Sequence, residues 1–269
     1  MDKELLVILN DFIDIMRRTD WALGAWNFGS AMHGLTDEHS DADVVFLVDG
    51  KDFANAEKSL MRLLSGVCGE IILCWEENFN SGAMINNGYL LEKNGRIFQF
   101  DVFLLNKDYI DDHMCRIHYT DISEKDIIFD KDGSVRSLAA NCPHGELWNG
   151  DTDRLMRTYL YHFSMTAKYL LRGDYFKLSH VMRILYDTHA SLLLTKYDRI
   201  KWGGAESKLR FIPEDKKAHL MQYYCTEDFA GNRERLLKCF EWFELDLGGF
   251  GGINSAAVME HWLECTKNI

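Results

Sequence analysis

The sequence has only two prolines among 269 residues, and none of its apolar stretches is long enough to cross a membrane. Its seven cysteines are odd in number and include no Cys-x-x-Cys pair, which argues against a disulfide framework and against a zinc knuckle. The N-terminal segment MDKELLVILNDF has the pattern of an amphipathic helix rather than that of a signal peptide. These absences predict a globular protein of the reducing cytoplasm that has no membrane partner.

Positive charge is scarce in the first half of the chain. Residues 1–140 contain 13 Lys and Arg against 25 Asp and Glu, a net charge of −12, whereas residues 141–269 contain 17 of each. Proteins that bind nucleic acid generally have the opposite excess, because neutralising phosphates drives their affinity. We therefore expect no nucleic acid partner, and the acidic half favours a small cationic molecule as a ligand.

The apolar patterns predict two domains. In the first, strand patterns alternate with helical ones, which predicts an α/β (α+β) domain with a mixed sheet. We expect helices at 3–17 and 53–64, and strands at 22–28, 43–48, 70–75, 87–92, 96–105 and 127–130. Pro, Gly and Asn cluster over 141–153, which is typical of a loop and places the boundary at 142/143.

Beyond this loop the strand patterns disappear, and five helical patterns predict an all-α bundle over 143–269. The first helix is expected from Asp151 or Thr152 to Arg172, with Gly173 ending it. Asp174 is expected to cap the second helix, which runs to about Lys196. The other three are expected to begin at 213, 232 and 255.

Two aspartates, Asp41 and Asp43, precede the apolar run Val44–Val48, which is typical of a buried strand. Because side chains alternate along a strand, both carboxylates lie on the same side. Adjacent carboxylates repel each other unless a cation lies between them, and their hard oxygen atoms suit Mg²⁺. Asp101 lies alone among large apolar residues in a later strand, where an unpaired carboxylate is costly. We expect the three aspartates to share a metal.

A Gly29-Ser30 pair precedes Asp41, with ten residues between Ser30 and Asp41. Glycine lets backbone N–H groups approach a phosphate closely, and the Ser30 hydroxyl can donate to a phosphate oxygen. Mg²⁺ held by carboxylates and substrate phosphates is a common way to bind a nucleoside triphosphate. The motifs together therefore predict a site for a nucleoside triphosphate.

The Gly-Ser pair, the Asp-x-Asp motif and the later aspartate resemble the nucleotidyltransferase superfamily that includes DNA polymerase β. The segments Ile127–Gly133 (IIFDKDG) and Lys208–Ile212 (KLRFI) are similar to segments of bacterial aminoglycoside 6-adenylyltransferases, which inactivate streptomycin. Arg172–Tyr175 (RGDY) is similar to a segment of lincosamide nucleotidyltransferases. Where the family tends to have Gly-Lys, this chain has Ser207-Lys208, so the role of Lys208 stays open. The resemblance implies a nucleotidyltransferase domain over 1–142 and a helical substrate-binding domain over 143–269.

The resemblance also implies a reaction, the transfer of AMP from ATP to a hydroxyl group of an aminoglycoside, which would confer resistance. It implies two Mg²⁺ ions bridged by Asp41 and Asp43, with Asp101 as a further ligand of one ion and as the general base. Gly29 and Ser30 would hold the β- and γ-phosphates. A lincosamide acceptor and an antitoxin-type enzyme that modifies a partner protein are the alternatives, and a homodimer stays open.

Three residues of the helical half are further candidates. Lys168 and Arg172 lie four apart on one face of a predicted helix and could bind the triphosphate, although a solvated helix face explains them equally well. Asp174 could bind the acceptor, although its position as a helix N-cap explains it equally well.

Overall fold

The structure, a computed structural model, describes residues 1–269 and divides into two compact units, Met1–Gly145 and Glu146–Ile269. The predicted boundary at 142/143 and this division both fall in the stretch 142–151, which has no helix or strand. None of the helices combines the length and the apolar character that a membrane span requires. All seven cysteines are free thiols.

The first unit combines helices with strands. Its strands are β1 (Ala22–Asn27), β2 (Ala42–Val48), β3 (Glu70–Glu76), β4 (Met84–Lys93), β5 (Arg96–Asn106) and β6 (Ile127–Asp130). Its helices are α1 (Lys3–Arg18), α2 (Gly29–Met32), α3 (Phe53–Leu64), α4 (His113–Ile117) and α5 (Ser134–Asn141). The strands form one sheet in the order β3-β4-β5-β2-β1-β6. The β2–β5 pair is parallel and the other pairs are antiparallel, so the sheet is mixed, as predicted.

The central strand β2 is buried on both faces, which explains its unbroken apolar run. Val44 and Phe46 contribute to a core with α1 and α3, where Phe12 meets the ring of Phe46 edge-on at 5.8 Å between centroids. Val45 and Leu47 contribute to a second core on the opposite face, with α4 and α5. Asp41 and Asp43 belong by alternation to this second face and lie where the strand begins.

The second unit is entirely helical. Its helices are α6 (Thr152–Arg172), α7 (Tyr175–Tyr197), α8 (Ala205–Leu209), α9 (Glu214–Leu220), α10 (Phe229–Leu247) and α11 (Ser255–Thr266). Asp151 caps α6 by accepting from the backbone N–H of Arg154 at 3.1 Å, and Gly173 ends that helix with φ +60°. The predicted fold class, a mixed-sheet α+β domain followed by an all-helical domain, is confirmed. The prediction missed α8, because one turn of helix is too short to produce a periodic pattern.

Lys208, whose role the sequence leaves open, is buried at the end of α8. Its ammonium donates to the Asp198 carboxylate at 2.6 Å and to the carbonyl oxygen of Ile200 at 2.8 Å. Asp198 also accepts the backbone N–H of Trp148 at 2.6 Å. The side chain thus neutralises a buried carboxylate of its own unit, which is a structural role.

Candidate active site

Three carboxylates converge at one end of the β2–β5 pair. In the parallel register Asp43 lies directly beside Asp101, and Asp41 comes two residues before Asp43 on the same side of the chain. One ligand oxygen from each of the three lies within 4.8 Å of the others. Each side chain is partly buried, so the oxygens are held in place yet remain accessible to a ligand.

The electrostatics of the cluster favour a cation. Burial, followed by the charges of Asp41 and Asp101, raises the pKa of Asp43 to about 7. Burial also raises the pKa of Asp101, to which Asp41 and Glu77 add, while a hydrogen bond from the Gln99 amide at 3.1 Å acts against it. Mutually repelling carboxylate oxygens at this spacing fit a hard divalent cation such as Mg²⁺, which would keep all three ionised.

Gly29 lies against this cluster, two residues after the end of β1 and at the start of α2. Its φ is +58°, and a Cβ atom added to it would lie 2.1 Å from Oδ2 of Asp43. Both the backbone conformation and the space therefore require glycine. The backbone at Gly29 thus passes directly beside a carboxylate of the cluster.

Replacing Gly29 by Ala should weaken metal binding, because the new methyl group must displace the Asp43 carboxylate. We expect the Kd for Mn²⁺, used as a spectroscopic probe of the site, to rise by ~10-fold or more. Gly34→Ala is the matched control, since Gly34 also has a positive φ (+67°) but nothing within 4 Å of its added Cβ. Electron paramagnetic resonance titration measures both, and equal affinities in the two variants would contradict the predicted contact.

The three candidates of the helical half belong to the second unit. Lys168 and Arg172 are exposed near the end of α6, and the Lys168 ammonium lies 4.8 Å from the ring centroid of Tyr169. Asp174 caps α7 by accepting from the backbone N–H of Lys177 at 3.2 Å. These contacts account for the local roles of Lys168 and Asp174, and the functions of all three residues at a ligand stay predictions.

No motif in the sequence singles out the neighbours of Asp101 on β3 and β4. A pocket of about 330 Å³ adjoins Asp101 and is lined by Trp75, Glu77, Asn86 and Gly88, among others. The available signal was the run of large apolar residues in Glu70–Glu76 (EIILCWE), two of which, Leu73 and Trp75, are exposed in the structure. The pairing of β3 with β4 and of β4 with β5 brings these residues beside Asp101. That pairing depends on the strand order, which no short-range sequence pattern predicts.

No family model matches this sequence, and no curated protein matches it. Among solved structures, an aminoglycoside 6-adenyltransferase from Bacillus subtilis aligns with 98% of this chain and 99% of its own, at 11% identity and a TM-score of 0.37. A nucleotidyltransferase-like protein from Exiguobacterium sibiricum aligns with 96% of this chain and 77% of its own, at 12% identity and a TM-score of 0.30. Both names describe the kind of enzyme that the sequence motifs resemble. Identities of this size and TM-scores below 0.5 leave the activity to be inferred from the site itself.

Proposed function

We propose that this protein is a Mg²⁺-dependent nucleotidyltransferase that transfers AMP from ATP to a hydroxyl group of a small cationic acceptor. The convergence of Asp41, Asp43 and Asp101 within 4.8 Å of one another carries this proposal. Gly29, which leaves no space for a side chain beside Asp43, supports a phosphate position next to the metal. The motif resemblance supplies the identity of the nucleotide and of the acceptor, an aminoglycoside such as streptomycin.

In this proposal the carboxylates bind the metal, and the Gly-Ser turn binds the phosphates. Asp41 and Asp43 would hold Mg²⁺, with Asp101 as a further ligand, and the family resemblance implies two ions. Bound Mg²⁺ neutralises charge on the triphosphate and acidifies the acceptor hydroxyl. The backbone N–H groups of Gly29 and Ser30, with the Ser30 hydroxyl, would hold the β- and γ-phosphates and orient the α-phosphorus for attack.

Asp101 is the proposed general base. It would take the proton of the acceptor hydroxyl while the acceptor oxygen forms a bond to the α-phosphorus. The bond between that phosphorus and the α,β-bridging oxygen breaks on the opposite side, and pyrophosphate leaves with the electron pair. The hydrogen bond from Gln99 to Oδ2 of Asp101 would orient the carboxylate for this transfer.

The direct test is a mass measurement on the acceptor. The protein is incubated with Mg²⁺, each of the four nucleoside triphosphates in turn, and a panel of aminoglycosides and lincosamides. We expect one nucleoside monophosphate to be added to an aminoglycoside when ATP is present. Addition to lincomycin alone would assign the lincosamide activity instead. Addition to protein, with no modified small molecule, would assign the antitoxin type.

The acidity of the first unit leads to a second prediction, which concerns the salt dependence of the acceptor KM. Met1–Gly145 has 25 acidic against 13 basic residues, so it should attract a polycation from solution. The acceptor KM for streptomycin should rise several-fold from about 10 to about 150 mM salt, because the Debye length falls from about 30 to about 8 Å. Steady-state kinetics at saturating Mg·ATP measures it. Lincomycin, with one positive charge, is the control, and a KM for streptomycin that does not respond to salt would contradict the prediction.

A further inference from the structure

One face of the β3–β4–β5 segment carries a row of three residues that ends at Asp101. Trp75 of β3 is paired with Gly88 of β4, and Gly88 is paired with Asp101 of β5. Residues paired across neighbouring strands point to the same face, so the indole and the carboxylate stand on either side of the glycine. The pocket of about 330 Å³ lies over this row.

Gly88 keeps the floor of the pocket open. A Cβ atom at this position would lie 2.7 Å from Oδ1 of Asp101 and 3.9 Å from Cβ of Trp75. Any larger residue would therefore fill the space between the indole and the carboxylate. Trp75 is 58% exposed, so much of its surface is accessible for contact with a ring.

Asn86 supplies an unpaired polar atom in the same pocket. Its side-chain Oδ1 is buried and has no hydrogen-bond partner. Its backbone is satisfied, since its N–H donates to Oδ1 of Asn80 at 2.7 Å and its carbonyl oxygen accepts from Nδ2 of Asn80 at 3.1 Å. A buried acceptor without a partner is uncommon in folded proteins, and a ligand that donates an N–H or O–H group would satisfy it.

The charge of the pocket indicates which kind of ligand it can bind. Its lining includes two carboxylates, Glu77 and Asp101, and no Lys, Arg or His. The backbone of Glu77 is anchored to β4, because its N–H donates to the carbonyl oxygen of Asn86 at 3.2 Å. Such a lining repels phosphate and favours an amine or a guanidinium. An exposed indole beside carboxylates is also a usual way to bind a cation or the apolar face of a ring.

We propose that this pocket is the acceptor subsite and that it takes an aminated polyol ring, such as an amino sugar or an aminocyclitol. The ring stacks on Trp75, its cationic group pairs with Glu77, and a donor group satisfies Oδ1 of Asn86. A hydroxyl group of the ring then faces Asp101. This assignment rests on the proposed function, because it is the proposed general base that makes the neighbouring pocket an acceptor site.

The test measures binding without catalysis. Streptomycin is titrated calorimetrically into the full-length protein with no nucleotide present. We expect Trp75→Ala to weaken its affinity by ~10-fold, with partial recovery in Trp75→Phe, which keeps an aromatic face. Glu77→Gln should weaken the affinity mainly at low salt. Tyr109→Ala is the matched control, because Tyr109 is an equally exposed aromatic residue of the first unit that lies outside the pocket, at 59% exposure.

The outcomes separate this inference from the proposed function. Absence of streptomycin binding by the unmodified protein, or equal affinities in Trp75→Ala and Tyr109→Ala, would overturn the subsite. A Trp75→Ala variant with weaker Mg·ATP binding and unchanged streptomycin binding would identify a nucleobase site instead, and so would also overturn it. Streptomycin binding that depends on Trp75, in a protein that transfers no AMP, would support the subsite and contradict the proposed function.

Discussion

Replacing Asp43 by Asn is expected to lower kcat/KM for AMP transfer by about 10³-fold or more. Asn keeps the shape of the side chain but supplies a neutral, weaker ligand to Mg²⁺. Metal ions contribute several kcal/mol of charge stabilisation in the transition state, and about 4 kcal/mol corresponds to a factor of 10³. Asp41→Asn should have a comparable effect, because its oxygen belongs to the same cluster. Near-normal transfer by either variant at saturating Mg²⁺ would contradict the metal assignment.

The same Asp43→Asn change should stabilise the metal-free protein, which separates a functional loss from a folding defect. The pKa of Asp43 is raised from 3.8 to about 7 in the folded state, chiefly by burial and then by Asp41 and Asp101. The folded state therefore holds the proton more tightly than the unfolded state does. The resulting destabilisation is absent below about pH 4, grows as the pH rises, and is complete above about pH 7. Asn removes this penalty, which is at most about 4 kcal/mol.

Thermal melts in the presence of a chelator measure this effect. The melting temperature of Asp43→Asn should exceed that of the unmodified protein at pH 8 and approach it at pH 4. Asp132→Asn is a control of opposite sign. Although burial acts against it, hydrogen bonds from Lys107 and Ser134 hold the pKa of Asp132 at about 2, so its charge stabilises the fold at pH 8. A lower melting temperature for Asp43→Asn at pH 8 would contradict the predicted repulsion.

The periodic parts of the fold were predictable from sequence, because local patterns determine them. Helix α3 and strand β6 have the predicted bounds, 53–64 and 127–130. The Asp-x-Asp motif needs only the alternation of a strand to bring its carboxylates to one side. Strand β4 begins at Met84, three residues before its predicted start at Asn87. Met84 and Ile85 belong to the strand, although their sequence pattern alone resembles the end of a loop.

Long-range pairing was not predictable in the same way. That Asp43 lies beside Asp101 follows from the parallel β2–β5 register, and the sequence suggested it only through the cost of burying a lone carboxylate. Nothing in the spacing of Trp75 and Gly88 indicates that they lie beside Asp101. Along the chain, Gly88 lies 13 residues before Asp101 and Trp75 lies 26 residues before it. Lys208 shows the same limit, because its partner Asp198 is known only from the folded unit.

Replacing Asp101 by Asn should lower kcat by ~10²–10⁴-fold, the range that follows from removing a general base. The Kd for Mg·ATP should change much less, because the proposed duty of Asp101 is at the acceptor hydroxyl, whereas Asp41, Asp43, Gly29 and Ser30 hold the nucleotide. Single-turnover kinetics with a saturating acceptor gives the rate of transfer, and equilibrium titration of Mg·ATP gives the affinity.

Gln99→Ala is the companion variant for this prediction. It removes the 3.1 Å hydrogen bond to Asp101 and leaves the carboxylate in place, so the rate should fall by less than ~10-fold. A large loss of rate in Asp101→Asn and a small loss in Gln99→Ala would distinguish the role of Asp101 in proton transfer from the role of Gln99 in orienting it. If instead the affinity for Mg·ATP collapses together with the rate in Asp101→Asn, then Asp101 is chiefly a ligand of the nucleotide metal. The acceptor proton would then have to leave to another group.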